Sequence, residues 1–222
     1  MFRRRRALFT LFVTAAALAP AAHAADWYLG GSIGRSQIDV SSSEIERGFL
    51  VDDDFVATDT SLDDADFGWK AYVGYRLLPV LSLEGAYVDL GEATFNTTIA
   101  EAPPPFDSIT PFVIRARAAA DGPQLALLGH LPLTERLEVL GRLGLFRWSA
   151  DFRERIPDTG ATRVDRSEND IDLVYGVGLQ YDLNGGFGAR IEWERMEGVG
   201  EGIGGRSGRD VDFFSVGLTF GF

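Results

Sequence analysis

Ten charged side chains fall at alternate positions within segments that are otherwise apolar or glycine-rich: Lys70, Arg76, Glu84, Glu138, Arg142, Asp172, Asp182, Arg190, Glu192 and Glu194. Charges of both signs on one face of a strand can pair with one another, and if that face is buried they must. Their spacing suits an ionic network better than a reaction centre. A serine hydrolase needs Ser, His and an acid held together. His130 is the only histidine beyond residue 24 and stands two residues before Pro132. It reads as a packing and hydrogen-bonding residue, and no nucleophile elbow or activated nucleophile accompanies it. The chain has no cysteine, which removes disulfides, thiolate zinc sites and thiol nucleophiles. No catalytic, cofactor or metal residue is therefore assigned.

Two other stretches could bind ions. Asp39, Glu44, Glu46, Asp52, Asp53, Asp54, Asp59, Asp63 and Asp64 face only Arg47 in the same region. Clustered carboxylates can hold Ca²⁺ or Mg²⁺, but consecutive aspartates lack the spaced ligands of a dedicated calcium loop. A solvated acidic loop is the expectation. Gly198 to Asp210 carries six glycines with Arg206 and Arg209. A phosphate cradle requires a helix after the glycines, and here a strand pattern follows.

The elements that position these residues are read from the alternation. Trp27, Leu29, Gly31 and Ile33 oppose Tyr28, Gly30, Ser32 and Gly34. Phe67, Trp69, Ala71, Val73, Tyr75 and Leu77 oppose Gly68, Lys70, Tyr72, Gly74 and Arg76. The same period of two runs through 81–87, 124–131, 137–145, 171–182, 187–194 and 214–222, giving eight strands. The apolar faces carry no charge at all. The opposite faces carry the ten charges and much of the glycine. A charge facing lipid at the midplane costs roughly 2–4 kcal/mol, and glycine suits a strand where space is scarce. Both features predict lipid outside and a narrow polar lumen inside.

The connections follow the same logic. Short turns fall at Leu78-Pro79, Pro132 to Glu135 and Leu183 to Gly186. Long polar connections fall at Gln37 to Asp64, within Gly91 to Gln124, at Ser149 to Asp170 and at Glu197 to Asp210. Strict alternation of short and long predicts periplasmic turns, extracellular loops and both termini in the periplasm. Trp27, Phe67, Trp69, Tyr87, Tyr181, Phe187, Trp193 and Phe222 sit near strand ends, as interfacial girdles do. The stretch Phe112, Ile114, Ala116, Ala118 is in the opposite phase to Leu125. A bulge near Asp121-Gly122-Pro123 would reconcile the two; the alternative is an ordered extracellular segment.

Bulk properties agree. With 222 residues, 45% hydrophobic and 12% aromatic, the chain has too much apolar surface for a disordered acidic tail. A formal net charge of -12 argues against nucleic acid as a partner. Residues 1–24 combine Arg3 to Arg6, an apolar stretch from Ala7 to Ala19, and Ala22-His23-Ala24. This is the grammar of a secretory signal peptide cleaved between Ala24 and Ala25. The apolar stretch is too short for a spanning helix.

At this point the chain resembles a known family, the OmpA-like transmembrane β-barrel proteins of Gram-negative outer membranes. The resemblance rests on Asp26-Trp27-Tyr28-Leu29-Gly30-Gly31, on Gly68 to Arg76 (GWKAYVGYR), and on Leu83-Glu84-Gly85-Ala86-Tyr87. Tyr175-Gly176-Val177-Gly178-Leu179 and the terminal Ser215 to Phe222 (SVGLTFGF) complete it. It implies an all-β, eight-stranded antiparallel up-and-down transmembrane β-barrel over 25–222, integral to the outer membrane. It implies a C-terminal assembly signal in Val216, Leu218, Phe220 and Phe222, read by the barrel-assembly machinery. It also implies contact with outer-membrane lipid and lipopolysaccharide, and a lumen salt-bridge network like that of relatives. Family members often continue into a peptidoglycan-binding domain. The chain ends at Phe222, so a cell-wall tether is not expected.

Three functions follow as expectations. The first is a non-enzymatic surface and structural protein whose barrel presents extracellular loops. The second is a narrow porin-like pore, gated by alternative pairings of Lys70, Arg142 or Arg190 with Glu84 or Glu192. The third and weakest is a lipid A-modifying enzyme. A surface partner is not readable. N-terminal sequencing of the exported protein is expected to begin at Ala25; an intact Met1 on the membrane-inserted form would refute the leader assignment.

Overall fold

The structure, a computed structural model, describes residues 27–38, 56–63, 65–101, 112–156, 161–200 and 209–222. They form nine strand segments: β1 (Trp27–Ile38), β2 (Val56–Asp63), β3 (Ala65–Leu78), β4 (Leu81–Glu101), β5 (Phe112–Pro132), β6 (Leu137–Ile156), β7 (Ala161–Asn184), β8 (Phe187–Val199) and β9 (Arg209–Gly221). β5 lines one edge of β4 from Leu81 to Ile99, while β3 and β2 share the other edge, at 81–89 and 94–101. β2 and β3 therefore count as one stave, and the wall has eight.

Each stave pairs antiparallel with its sequence neighbour, and β1 pairs with β9 from Tyr28↔Gly221 to Ile38↔Val211. That last pairing closes the ring. The Phe222 N–H donates to the Trp27 carbonyl at 3.0 Å, sealing the seam at the turn end. Closure matters because hydrocarbon offers no partner to a free backbone N–H or C=O. Tight turns occupy Pro79–Val80 and Gly185–Gly186, and a four-residue connection spans 133–136. Gly185 and Gly186 adopt φ +63° and +84°, the left-handed conformation that a two-residue hairpin turn requires.

Alternation assigns the two faces. Leu125, Leu143 and Val216 stay 57%, 59% and 56% exposed, whereas Lys70 and Glu84 are 1% and 0% exposed. Aromatics frame the apolar band. At the turn end, Trp27 packs on Tyr75 with ring centroids 4.9 Å apart, and Phe187 on Phe220 at 4.8 Å. At the other end Trp69 stacks on Tyr87, and its indole N–H donates to Asp89 at 3.2 Å; the Trp193 N–H donates to Asp212 at 3.0 Å. Apolar ring bodies with polar outer tips suit an interface between lipid and water.

The expected loop boundaries require correction. Of the four long polar connections, those within 91–124 and 149–170 are largely strand, and the first contains a further strand segment. β2 lies inside the 37–64 stretch, β4 and β5 reach Glu101 and Phe112, and β6 and β7 reach Ile156 and Ala161. Asp59 and Asp63 belong to β2. Asp39, Glu44, Glu46, Arg47, Asp52, Asp53, Asp54, Asp64 and Arg206 lie outside the described residues, as do residues 1–24.

The bulge is also elsewhere. β5 keeps one register with β6 through Asp121, Gly122 and Pro123. The slip is on the neighbouring strand, between Asp89 and Glu92, where Gly91 takes φ +78° and its N–H donates to Asp89 Oδ1 at 2.9 Å. The phase reversal has a different physical origin. Even-numbered side chains of β5 and β6 point inward along both strands, but the solvent outside changes. Within the membrane the inward residues are Gln124 and Arg142, and the outward ones are Leu125 and Leu143. Above it the inward residues are Ala116, Trp148 and Ala150, and the outward ones are Arg115, Arg117, Arg153 and Arg155. Where the wall leaves lipid it adopts the ordinary arrangement of a barrel in water.

The bore is narrow enough that glycine is required in it. A Cβ on Gly74 would overlap the Tyr28 ring, whereas one on Gly141 would meet nothing within 4 Å. Gly74→Val is expected to cost about 1–3 kcal/mol, the usual range for overpacking, and Gly141→Ala close to nothing. Urea unfolding in vesicles, followed by the loss of heat-dependent gel migration, measures both; equal midpoints for the two variants would contradict the packing.

Candidate functional site

The interior is stacked in three layers. The lowest, at the turn end, joins Arg76, Ser82, His130, Glu138 and Gln180. His130 arises from β5, Glu138 from β6 and Ser82 from β4, brought together because β5 lies between the other two. Ser82 Oγ lies 2.7 Å from His130 Nε2, and His130 Nδ1 lies 3.1 Å from Glu138 Oε1. Arg76 Nη2 is 3.5 Å from that same carboxylate oxygen, and Gln180 Nε2 donates to it at 3.0 Å.

Ser82, His130 and Glu138 stand in the sequence nucleophile, base, acid, which the spacing of the chain did not reveal. Two features argue against hydrolysis. Ser82 is completely buried, so no carbonyl carbon can reach its Oγ. Glu138 is shared among Arg76, His130 and Gln180 rather than reserved for the imidazole. Chemically the layer is a hydrogen-bonded plug.

The middle layer contains three cations and three carboxylates, all nearly inaccessible: Lys70, Arg142 and Arg190 with Glu84, Glu192 and Glu194. Lys70 Nζ pairs with Glu192 at 3.0 Å and with Glu194. Arg142 reaches Glu84 at 2.6 Å, Glu192 at 2.9 Å and Glu194 at 3.4 Å. Arg190 Nη1 lies 2.9 Å from Glu84 and 3.7 Å from Glu192. The layer is thus electrically neutral and cross-linked from β3, β4, β6 and β8.

Neutral groups add further hydrogen bonds to these charges. The Tyr28 hydroxyl donates to Glu84 at 3.0 Å, Gln124 Nε2 to Glu194 at 3.1 Å, and Arg142 Nη1 to Gln124 Oε1 at 3.2 Å. Arg190 Nε donates to Gln180 Oε1 at 3.0 Å, which ties this layer to the one below. The Arg190 guanidinium also lies over the Tyr72 ring, 4.8 Å from its centroid. Such additional bonds are what a buried ionic cluster needs, because Coulomb attraction alone does not offset desolvation.

The upper layer is apolar. Val88, Leu90, Phe146, Trp148, Val174, Met196, Val211 and Phe213 form a continuous buried cluster, with Ala150 and Val199 at its edge. Its one polar attachment through an indole is Trp148 Nε1 donating to Asp172 at 2.6 Å.

Of the eight network residues expected from the sequence, the structure brings six into the middle layer and places Arg76 and Glu138 in the lower one. Asp172 belongs to the apolar level and Asp182 is exposed beside the turn. Tyr28, Tyr72, Gln124 and Gln180 share the inward parity of the charges, and that parity was the only signal for them. Val216 and Leu218 face outward on β9, Phe222 is exposed just past its end, and Phe220 packs at a tilt against Phe187. Among the described residues, no group of three or more His, Cys, Asp or Glu could hold a metal ion.

A closed ring with an uncharged lipid-facing band and a polar bore defines an integral outer-membrane β-barrel. The chain matches the OmpA-like transmembrane domain over residues 22–222 and belongs to that family. It is 28% identical over 217 residues to outer membrane protein A of Salmonella typhi, covering 95% of this chain and 52% of the relative. Against outer membrane protein A of Klebsiella pneumoniae it is 27% identical over 201 residues, 88% of this chain and 51% of that one. The chain spans about half the length of these relatives. Among solved structures, the outer membrane protein OprG of Pseudomonas aeruginosa superposes with a TM-score of 0.51 at 14% identity, covering 90% of this chain and 96% of that one. That likeness concerns the fold.

Glu84 is the carboxylate shared by Arg142, Arg190 and Tyr28. Removing it leaves two buried guanidiniums short of a partner, so Glu84→Ala is expected to destabilise the barrel by about 3–5 kcal/mol. Glu138→Ala, at the partly hydrated mouth, should cost less. Urea titration of both variants in vesicles measures the difference; a Glu84→Ala midpoint at the wild-type value would remove the network from any structural role.

Proposed function

We propose that this protein is a non-enzymatic structural and surface scaffold of the outer membrane. The single observation that carries this is the filled interior: a neutral, hydrogen-bonded ionic layer lies under a continuous apolar one. A scaffold needs a rigid staff, and the two layers supply rigidity by different means. Ion pairs fix the side chains at mid-membrane, and close packing fixes the upper wall.

The pore reading is weaker for the same reason. An ion would have to displace Arg142 from three carboxylates and then cross Trp148, Phe146 and Phe213 without hydration. The enzyme reading is weaker because Ser82, the serine in contact with His130, is buried.

Partners follow from placement. Outward Leu, Ile, Val and Phe meet lipid acyl chains, and the polar outer wall above them meets lipopolysaccharide. Val216, Leu218, Phe220 and Phe222 would serve as the assembly signal, since they lie on, or directly follow, the strand that closes the ring. The leader at 1–24 would deliver the chain to the periplasm.

Planar bilayers containing the refolded protein are expected to show no discrete openings, and a deletion strain to retain unaltered lipid A by mass spectrometry while growing more sensitive to detergent. Reproducible single-channel steps from the wild type would overturn the scaffold in favour of a pore.

A further inference from the structure

The register of β5 and β6 places four arginines in a square. Arg115 stands opposite Arg155, and Arg117 opposite Arg153. All four face outward and are exposed. Like charges directly opposite on antiparallel strands are unfavourable, so an intramolecular purpose is hard to find for two such pairs in succession.

Their polar neighbours do not neutralise them. Glu92 lies 3.4 Å from Arg117, Asp165 lies 3.4 Å from Arg153, and Asn96 Oδ1 accepts from Arg115 Nε at 3.0 Å. Among the described residues, four guanidiniums thus meet two carboxylates. Both ion pairs are about half exposed, and exposed pairs are weak and easily exchanged. Asp121 and Asp151 are on the same wall but lower.

Height identifies the ligand. On β6 the last lipid-facing leucine is Leu145, and Arg153 follows eight positions later. At about 3.3 Å per residue and a tilt near 40°, that is roughly 20 Å above the hydrocarbon. The surroundings at that level in the outer leaflet are the phosphorylated core sugars of lipopolysaccharide. Arginine forks match phosphate oxygens in bidentate fashion, which an ammonium does not.

We propose that Arg115, Arg117, Arg153 and Arg155 form a docking site for the phosphate groups of the lipopolysaccharide core. The site rests on outer-membrane placement and not on the scaffold reading, so a conducting barrel would leave it intact. Ligand phosphates replace the missing counter-charge between the paired arginines and bind the barrel laterally to its lipid neighbours.

The test uses the mature chain refolded in neutral phosphatidylcholine nanodiscs. Calorimetry compares deacylated, phosphorylated core oligosaccharide with the same oligosaccharide after phosphate removal, and inorganic phosphate serves as competitor. Loss of phosphate is expected to weaken binding about tenfold or more, as loss of several charge-assisted contacts does. The combined R115Q, R117Q, R153Q and R155Q variant should show the same loss. R35Q, an exposed arginine on β1, should stay within about twofold, since an isolated surface charge contributes little. Equal affinity of the wild type for both oligosaccharides, or unchanged binding by the fourfold variant, overturns the proposal. If the fourfold variant does not recover the heat-dependent gel migration of a folded barrel, the wild-type comparison of the two oligosaccharides decides alone.

Discussion

The constraint behind every feature of this molecule is that backbone hydrogen bonds have no substitute in hydrocarbon. A sheet in that medium must close on itself, and here closure is the β1–β9 pairing. Eight staves make a small ring. A small ring leaves a bore in which a Cβ on Gly74 already collides with Tyr28. So confined a space excludes bulk water, and any charge inside it must find its opposite within hydrogen-bond reach. The neutral cluster around Glu84 and Arg142 is therefore a consequence of ring size as much as of residue choice.

The wall obeys one parity throughout, while its surroundings change from lipid to water. That explains how the interior can be ionic at Arg142 and oily at Trp148, six residues along the same strand. Inside the bilayer, the apolar residues are needed outside and the polar ones are relegated inward. From its upper edge onward, the hydrophobic effect acts in its usual direction and fills the bore with Phe146, Trp148 and Phe213. Two opposite patterns share one continuous sheet without a break in the backbone.

Much of this was legible in the residues. Leu143, Leu145 and Val177 facing Arg142, Gly144 and Gly178 already distinguish a membrane barrel from a sandwich, because lipid tolerates no charge and a narrow lumen favours glycine. The mid-height charges were recognisable by position, and Glu84 and Glu192 as the carboxylates that pair with them, but the particular pairings were not. Alternation tells which face a side chain takes and nothing of which neighbour it reaches across a ring. The Ser82–His130 contact and the Arg115–Arg155 opposition depend on inter-strand register, which a single strand does not encode. The extent of the strands was missed for a specific reason. Arg153, Asp165 and Asn169 look like loop residues when the outer face is assumed to be apolar, yet on a wall standing in water they are ordinary strand exterior.

The crossover in polarity also gives the molecule a waterline. Leu145 is followed two positions later by Arg147, and Leu125 is preceded by Pro123 and then Asp121, so the greasy belt has an abrupt upper hem. Below, Trp27, Phe187 and Phe222 mark the lower one. A barrel marked in this way has little freedom to bob: sinking immerses guanidinium and carboxylate in oil, and rising lifts leucine into brine. Local bilayer thickness must adjust to the protein instead, which makes each copy a small template for the lipid that surrounds it.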